Sequence, residues 1–446
     1  MSQLVLAKLL PDSAGLDQGG ELHIADRNIR ELVEEYGTPL YIFDRATIVH
    51  ACRGYLKALS EHYRASGVRV IYAAKAYLAP HIARLVEEQG MGLDVVSGGE
   101  LLVAQRAGFP MERVSFHGNN KSESELRLAL RLGVGRIVLD NWSELELLTR
   151  LACEEREGQR PRVLLRIAPD VETDTHRYLQ TGHAAAKFGF PLGSGEARAA
   201  AARIIDQGVL ELVGLHAHSG TMLRETRPYE ECLERLLAFA DGLYDDCGWW
   251  PKEISPGGGW AIGVPGQEEV PGVAVLAGAL QAGMERGMGR YGQGRPVPEL
   301  IIEPGRSIIA RAGVAVYRVG ARKVTPGGVT YVFVDGGMAD NIRPALYGAR
   351  YSALAVERPL AASEERVCVA GRYCESGDML IEEAELPRMR EGELLLLPLA
   401  GAYCLPMASN YNLVPRPAVI LVDEQCVQVM ERRETYEDLL TRYGEL

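Results

Sequence analysis

Between about residues 68 and 310 the chain repeats one unit: a short run rich in Val, Ile and Leu, then a stretch of helical period or a long loop. The runs are Val68–Ala74, Gly92–Val96, Val114–His117, Arg136–Leu139, Val163–Ile167, Leu212–His218, Lys252–Pro256 and Pro298–Ile302. Helical patterns lie between them, at His81–Gln89, Glu100–Ala107, Ser122–Leu132 and Ser143–Glu157. Gly90 falls where the first of these would be capped. Strands that are apolar on both faces belong to parallel sheets covered on both sides. Eight such units predict a (β/α)8 barrel, hence an α/β fold.

After about residue 310 the pattern changes. Val314–Val319, Thr330–Val334, Glu365–Ala370, Leu394–Leu399 and Ala418–Val422 read as strands joined by Gly- and Pro-containing turns. They predict a C-terminal, mainly antiparallel β domain. Leu22–Ile24 and Leu40–Phe43 are two more strand-like runs, assigned to that β domain. The expected division is an N-terminal segment 1–45, a barrel 46–310 and a β domain 311–446.

A chain of 446 residues, 47% of them apolar, can bury cores for both parts. A net charge of -12 without a Lys/Arg run excludes nucleic acid as an expected partner. The 8 cysteines form no C-x-x-C pair, which fits neither a zinc site nor a disulfide framework. No metal is expected, and a reducing cytoplasm is the expected setting. The N-terminus MSQLVLAKLLPDSAG has no basic region before its apolar stretch, and no apolar run reaches bilayer length. No membrane association is expected.

Chemistry in such barrels sits at the C-terminal ends of the strands. Each run but the fourth ends there in polar or Gly-rich sequence: Lys75; Asp94 with Ser97-Gly98-Gly99-Glu100; His117-Gly118-Asn119-Asn120-Lys121; Arg166; His216 and His218; Gly257-Gly258-Gly259; Glu303-Pro304-Gly305-Arg306. A buried Lys75 amine would have a lowered pKa, which suits covalent attachment to an aldehyde. The plainer reading is a pair with Asp94 or Glu100. Gly257–Gly259 and Gly305 follow strands seven and eight, a frequent place for phosphate; a tight turn is the alternative. Glu303 suits the partner of a pyridine nitrogen, or an ion pair with Arg166. His218 fits either a ring-stacking residue or a hydrogen-bonded core histidine. In the β domain Asp335–Tyr347, Cys374–Asp378 and Gly401–Asn412 are polar, loop-like clusters. Turn chemistry explains most of their Gly and Asn, but explains Arg343, Cys374 and Glu375 less well.

These stretches together resemble the pyridoxal phosphate (PLP)-dependent decarboxylases with an alanine-racemase-like barrel, the fold-type III PLP enzymes. The matching segments are YAAKA at Tyr72–Ala76, GLDVVSGGEL at Gly92–Leu101, HGNNKS at His117–Ser122 and THRYLQTGHAAAKFGF at Thr175–Phe190. They continue with GLHAHSGT at Gly214–Thr221, GGG at Gly257–Gly259 and EPGRS at Glu303–Ser307. DGGMADNIRPALY at Asp335–Tyr347, CESGD at Cys374–Asp378 and GAYCLPMASNYN at Gly401–Asn412 complete the set. The resemblance is nearest to the members that act on diaminopimelate.

What the resemblance implies is specific. Lys75 carries the cofactor, His218 stacks on it, and Glu303 meets its pyridine nitrogen. Asp94, Arg166, Thr221, Gly258, Gly259, Gly305, Arg306 and Tyr403 complete the cofactor site. Arg306, Arg343, Tyr347, Glu375 and Tyr403 bind substrate. Cys374 donates a proton from the neighbouring subunit, so a homodimer with shared active sites is expected. The implied reaction is decarboxylation of meso-2,6-diaminopimelate to L-lysine and CO2. A second amino-acid head needs a cation for its carboxylate, and Arg306 and Arg343 supply it. Two positions depart from the family pattern: Tyr77 stands where Asn is usual, and Met222 where Gln is usual. They keep open a same-fold decarboxylase for ornithine, lysine, arginine or a carboxylated polyamine. A racemase and a non-enzymatic PLP carrier are the remaining readings.

Overall fold

The computed structural model describes residues 8–63, 67–155, 160–171, 187–264 and 269–444. Two compact units emerge. One comprises residues 52–261 and 270–305; the other comprises 1–51, 262–269 and 306–446.

The first unit is a closed barrel. Its strands are Val68–Ala73, Gly92–Val95, Val114–Phe116, Arg136–Leu139, Arg162–Ala168, Glu211–His216, Glu253–Gly257 and Glu299–Ile302, each within two residues of the expected limits. Every neighbouring pair is parallel, and the eighth strand closes onto the first through Leu300↔Val68 and Ile302↔Val70. Helices cover the outside, and their ends are encoded locally. Ser122 caps helix Glu123–Leu132 in a reciprocal box with Glu125, and Gly133 ends it in the left-handed region. Ser97 Oγ caps Gly98–Ala107 by accepting from Glu100 N–H, and Gly108 ends that helix in the left-handed region. The N-terminal ends of the strands are tied by ions. Glu253 binds Arg136 through Oε2 and Nε at 2.9 Å, and Arg69 bridges Glu253 and Glu299 at 2.8 and 2.9 Å. That end is occupied by structure, which leaves the other for chemistry.

The second unit is built on a mainly antiparallel sheet. Its strand order is Met379–Leu386, Glu365–Ala370, Thr330–Val334, Gly313–Val324, Leu40–Asp44, Ala418–Val422, Val427–Glu431, with Leu394–Leu397 also paired to Gly313–Val324. Leu40–Asp44 is buried throughout and sits between Gly313–Val324 and Ala418–Val422. One core runs from Leu22, Ile24 and Ile29 through Leu40 and Ile42 to Val316, Leu396 and Ile420. Met379–Leu386 and Val427–Glu431 are strands beyond those expected, the strand expected to end at Val319 continues to Val324, and the strand expected to reach Leu399 stops at Leu397. Leu399 has φ +60°, a left-handed conformation incompatible with a continuing strand.

Candidate active site

Parallel register sets the barrel's polar layer. Arg166, His216 and Ser255 are direct neighbours on strands five, six and seven, and Ala73 pairs with Asp94 on strands one and two. Glu303 follows strand eight and is buried. Its Oε2 lies 3.0 Å from His216 Nε2, and its Oε1 accepts from Ser255 Oγ at 3.1 Å. His117 Nε2 stands 3.7 Å from both Glu303 Oε1 and Asp94 Oδ1. The His117 and His216 rings meet edge to face at 4.8 Å.

Two buried carboxyls thus share one small space and behave oppositely. Burial raises the Asp94 pKa to about 7, against the opposing pull of Lys75. Burial acts the same way on Glu303, but the charges of His216 and His117 and the His216 hydrogen bond prevail, so its pKa falls below the carboxylate range. Glu303 is held as the anion, and the proton is favoured on Asp94. Burial lowers the His117 pKa strongly, against the opposing pull of the Glu303 charge.

Lys75 lies on the one-turn helix Ala74–Ala76 with Nζ 3.9 Å from Asp94 Oδ2. Its side chain is 45% exposed, so the expected burial of this amine is corrected: the backbone around it is buried and the amine reaches out of it. Arg166 is buried near Asp140, 3.6 Å away, with its guanidinium 4.4 Å from the Phe188 ring centroid. The alternative Glu303–Arg166 ion pair is replaced by Glu303–His216. Lys121 belongs to structure: its Nζ donates to Gly118 O, Val138 O and Glu144 Oε1.

The triple glycine is explained first by crowding. A Cβ on Gly258 would stand 1.9 Å from Glu303 O, and one on Gly259 would stand 2.0 Å from Gly220 O. Gly257 N–H donates to Ser255 Oγ and Gly258 N–H to His218 Nδ1 at 3.3 Å. That bond fixes the His218 ring, whose pKa burial, Lys75 and Arg166 hold well below normal. Gly305 packs its Cα against Ala73 and Ala76. Thr221 is partly buried beside Met222, which takes φ +61°. Of the block Thr175–Phe190, residues 175–186 lie outside the described residues.

The β unit holds a second cluster. The Arg306 guanidinium lies 4.6 Å from the Tyr403 ring centroid, and Arg343 lies 5.8 Å from the same ring and 5.9 Å from Tyr347. Burial, then the neighbouring Arg343 cation, lower the Arg306 pKa. Arg343 Nε donates to Tyr351 Oη at 3.1 Å. Tyr351 was missed in the sequence, where nothing marks it as polar-facing. Cys374 and Glu375 are exposed and are held by other contacts: Cys374 N–H donates to Asn412 Oδ1 at 3.0 Å, and Tyr411 Oη donates to Cys374 O.

The barrel site fits a planar, polar cofactor. Both Asp94 oxygens, His117 Nε2 and His216 Nδ1 are buried without a hydrogen-bond partner among the described residues. Such atoms are costly unless a ligand meets them. An amine, a buried anion and orphaned polar atoms at the C-terminal end of a barrel define a PLP enzyme of the barrel class. Accordingly, residues 45–310 match the family described as pyridoxal-dependent decarboxylase, pyridoxal binding domain.

Similarity at full length is narrower. The diaminopimelate decarboxylase of Bacillus subtilis is 42% identical over 95% of this chain and 95% of its own. That of Actinosynnema pretiosum is 42% identical over 95% and 92%. The crystal structure of diaminopimelate decarboxylase from M. jannaschii superposes with a TM-score of 0.90 at 32% identity, covering 98% of both chains. The Helicobacter pylori enzyme, complexed with L-lysine, gives 0.83 at 29% identity over 93% and 98%. The chain belongs to the diaminopimelate decarboxylase family of PLP-dependent enzymes.

Proposed function

We propose that this enzyme decarboxylates meso-2,6-diaminopimelate to L-lysine and CO2, the last step of lysine synthesis, with PLP bound through Lys75. The observation that carries the substrate is the pair Arg306 and Arg343 around Tyr403. Two guanidiniums that repel each other favour an anion between them, and the second amino-acid head of diaminopimelate brings a carboxylate. An amino acid whose far end is only an ammonium has no use for such a pair.

When bound, the cofactor supplies an electron-poor ring that takes up the electrons of the breaking bond between the α-carbon and its carboxylate. The protein does the rest. Glu303, fixed by His216 and Ser255, would supply the negative charge for the ring nitrogen. His218, tied to Gly258 N–H, would stack on the ring. Asp94 and Arg166 complete the polar wall, and backbone at Gly259 and Gly305, with Thr221, takes the phosphate. Arg306, Arg343, Tyr347 and Tyr403 hold the distal carboxylate, and Glu375 the distal ammonium. The Cys374 thiol would supply the proton that replaces CO2 on the α-carbon, and the Lys75 amine would be the group that holds the cofactor between turnovers.

In this reading the enzyme is a cytoplasmic homodimer in which Cys374 and Glu375 complete the site of the partner subunit. Their exposure supports it, as does the exposed Tyr411 and Leu413 surface beside them. All eight cysteines are free, in keeping with a reducing compartment. No helix among the described residues is long and apolar enough to cross a membrane. The test is incubation of the purified enzyme with PLP and a panel of amino acids, with products identified by mass. L-Lysine from meso-diaminopimelate alone is expected; putrescine from ornithine or cadaverine from lysine as the main product would overturn the substrate. The visible absorbance band of the bound cofactor should vanish in Lys75→Ala, and its persistence would displace Lys75 from its role.

A further inference from the structure

We propose that Tyr351 is a specificity-determining positioning residue: its hydroxyl holds Nε of Arg343, so that the guanidinium meets the distal carboxylate of the substrate only with its outer edge. This rests on the reading of Arg343 as a carboxylate ligand.

A guanidinium can grip a carboxylate in two ways, through its two terminal nitrogens or sideways through Nε and one of them. Arg343 Nε has a single N–H, and it is spent on Tyr351 Oη at 3.1 Å. Among the described residues the two terminal nitrogens have no protein partner. The sideways grip is closed and the end-on grip is open.

The hydroxyl has a second contact. Its oxygen accepts from Arg343 and lies 3.4 Å from Cys404 Sγ, within hydrogen-bond reach of the thiol. The Cys404 thiol points in turn to Ala402 O at 3.8 Å. Burial pushes the Cys404 thiol up to about 11 and raises the Tyr351 phenol, so both keep their protons at neutral pH. Tyr403, at φ +63°, lays its ring against both arginines. Nε of Arg343 is thus tethered from one side and its guanidinium backed by an aromatic ring.

The reaction offers a direct probe. L-Lysine retains the head that is not decarboxylated, with its carboxylate; cadaverine has two amines and no carboxylate. Inhibition constants of both are measured on the PLP-loaded enzyme, for wild type, Tyr351→Phe and Arg343→Ala. Tyr351→Phe is expected to weaken L-lysine inhibition about tenfold, the loss of one hydrogen bond to a charged group, while cadaverine shifts less than about twofold. KM for diaminopimelate should rise more than kcat falls. Equal shifts for both inhibitors, or none, would overturn the proposal. If Arg343→Ala weakens L-lysine selectively and Tyr351→Phe does not, only the tether is wrong. If Arg343→Ala is not selective either, the carboxylate reading falls with it. Circular dichroism reports whether Tyr351→Phe folds. If it does not, Cys404→Ala, which removes the thiol beside the hydroxyl, must show the same selectivity at smaller size, and its absence counts against the proposal.

Discussion

Asp94 and Glu303 show how far neighbours, rather than residue type, decide charge. Both are buried carboxyls near His117. Glu303 has Ser255 Oγ and His216 Nε2 on its oxygens, whereas those of Asp94 have no hydrogen-bond donor among the described residues. Burial then wins at Asp94, moving its pKa from 3.8 to about 7. Between those values the cofactor-free folded chain holds a proton that the unfolded chain has released. Stability therefore falls as pH rises through this window and levels off above it. The displacement corresponds to roughly 4 kcal/mol. Asp94→Asn should abolish this part of the slope. Urea unfolding of the cofactor-free wild type and variant between pH 4 and 8 checks it, and parallel curves for the two proteins would refute it. The polar strand ends were legible in sequence because a barrel confines chemistry to one end. Their pairing was not. Arg166 faces Asp140, and Glu303 faces His216, because strand register brings Arg166, His216 and Ser255 into one row.

The elements were legible in proportion to their burial. The barrel strands are mostly buried and most are rich in Val, Ile and Leu, and covering on both faces is what makes such runs. Met379–Leu386 escaped because its apolar positions do not alternate: its pairing with Glu365–Ala370 shifts register twice, and the burial pattern shifts with it. Val427–Glu431 escaped because it is mostly exposed, with one buried residue. The loops that carry candidate substrate residues were visible as clusters, but their scaffold was not. Asp378 is buried and accepts from Met338 N–H at 2.7 Å and Tyr373 N–H at 2.8 Å. It joins the loop that leads to Arg343 to the loop that carries Cys374 and Glu375. Asp378→Ala leaves two backbone N–H groups without an acceptor, and a loss of about 3 kcal/mol is expected. Chemical denaturation measures it. A loss under about 1 kcal/mol would mean that water replaces the carboxylate at no cost.

At the scale of the whole molecule, the two ends of the barrel divide the labour. Arg69, Arg136, Glu253 and Glu299 tie the N-terminal ends of the strands, and the candidate chemistry gathers at the opposite ends. The β unit has its own pair of cations, Arg306 and Arg343, around Tyr403. Its exposed Cys374 is, in the proposed dimer, of use only to a second copy. This has a quantitative consequence. In a symmetric dimer with exchanged residues, each site takes its lysine from one chain and its thiol from the other. Lys75→Ala homodimers lack the attachment point in both sites, and Cys374→Ala homodimers lack the acid in both. A mixed dimer pairs both lesions in one site and leaves the other intact. Equal amounts of the two variants, unfolded together and refolded, place half of the chains in mixed dimers, so about a quarter of wild-type activity should return from two nearly inactive parents. Activity no higher than the mean of the parents would place lysine and thiol on the same chain.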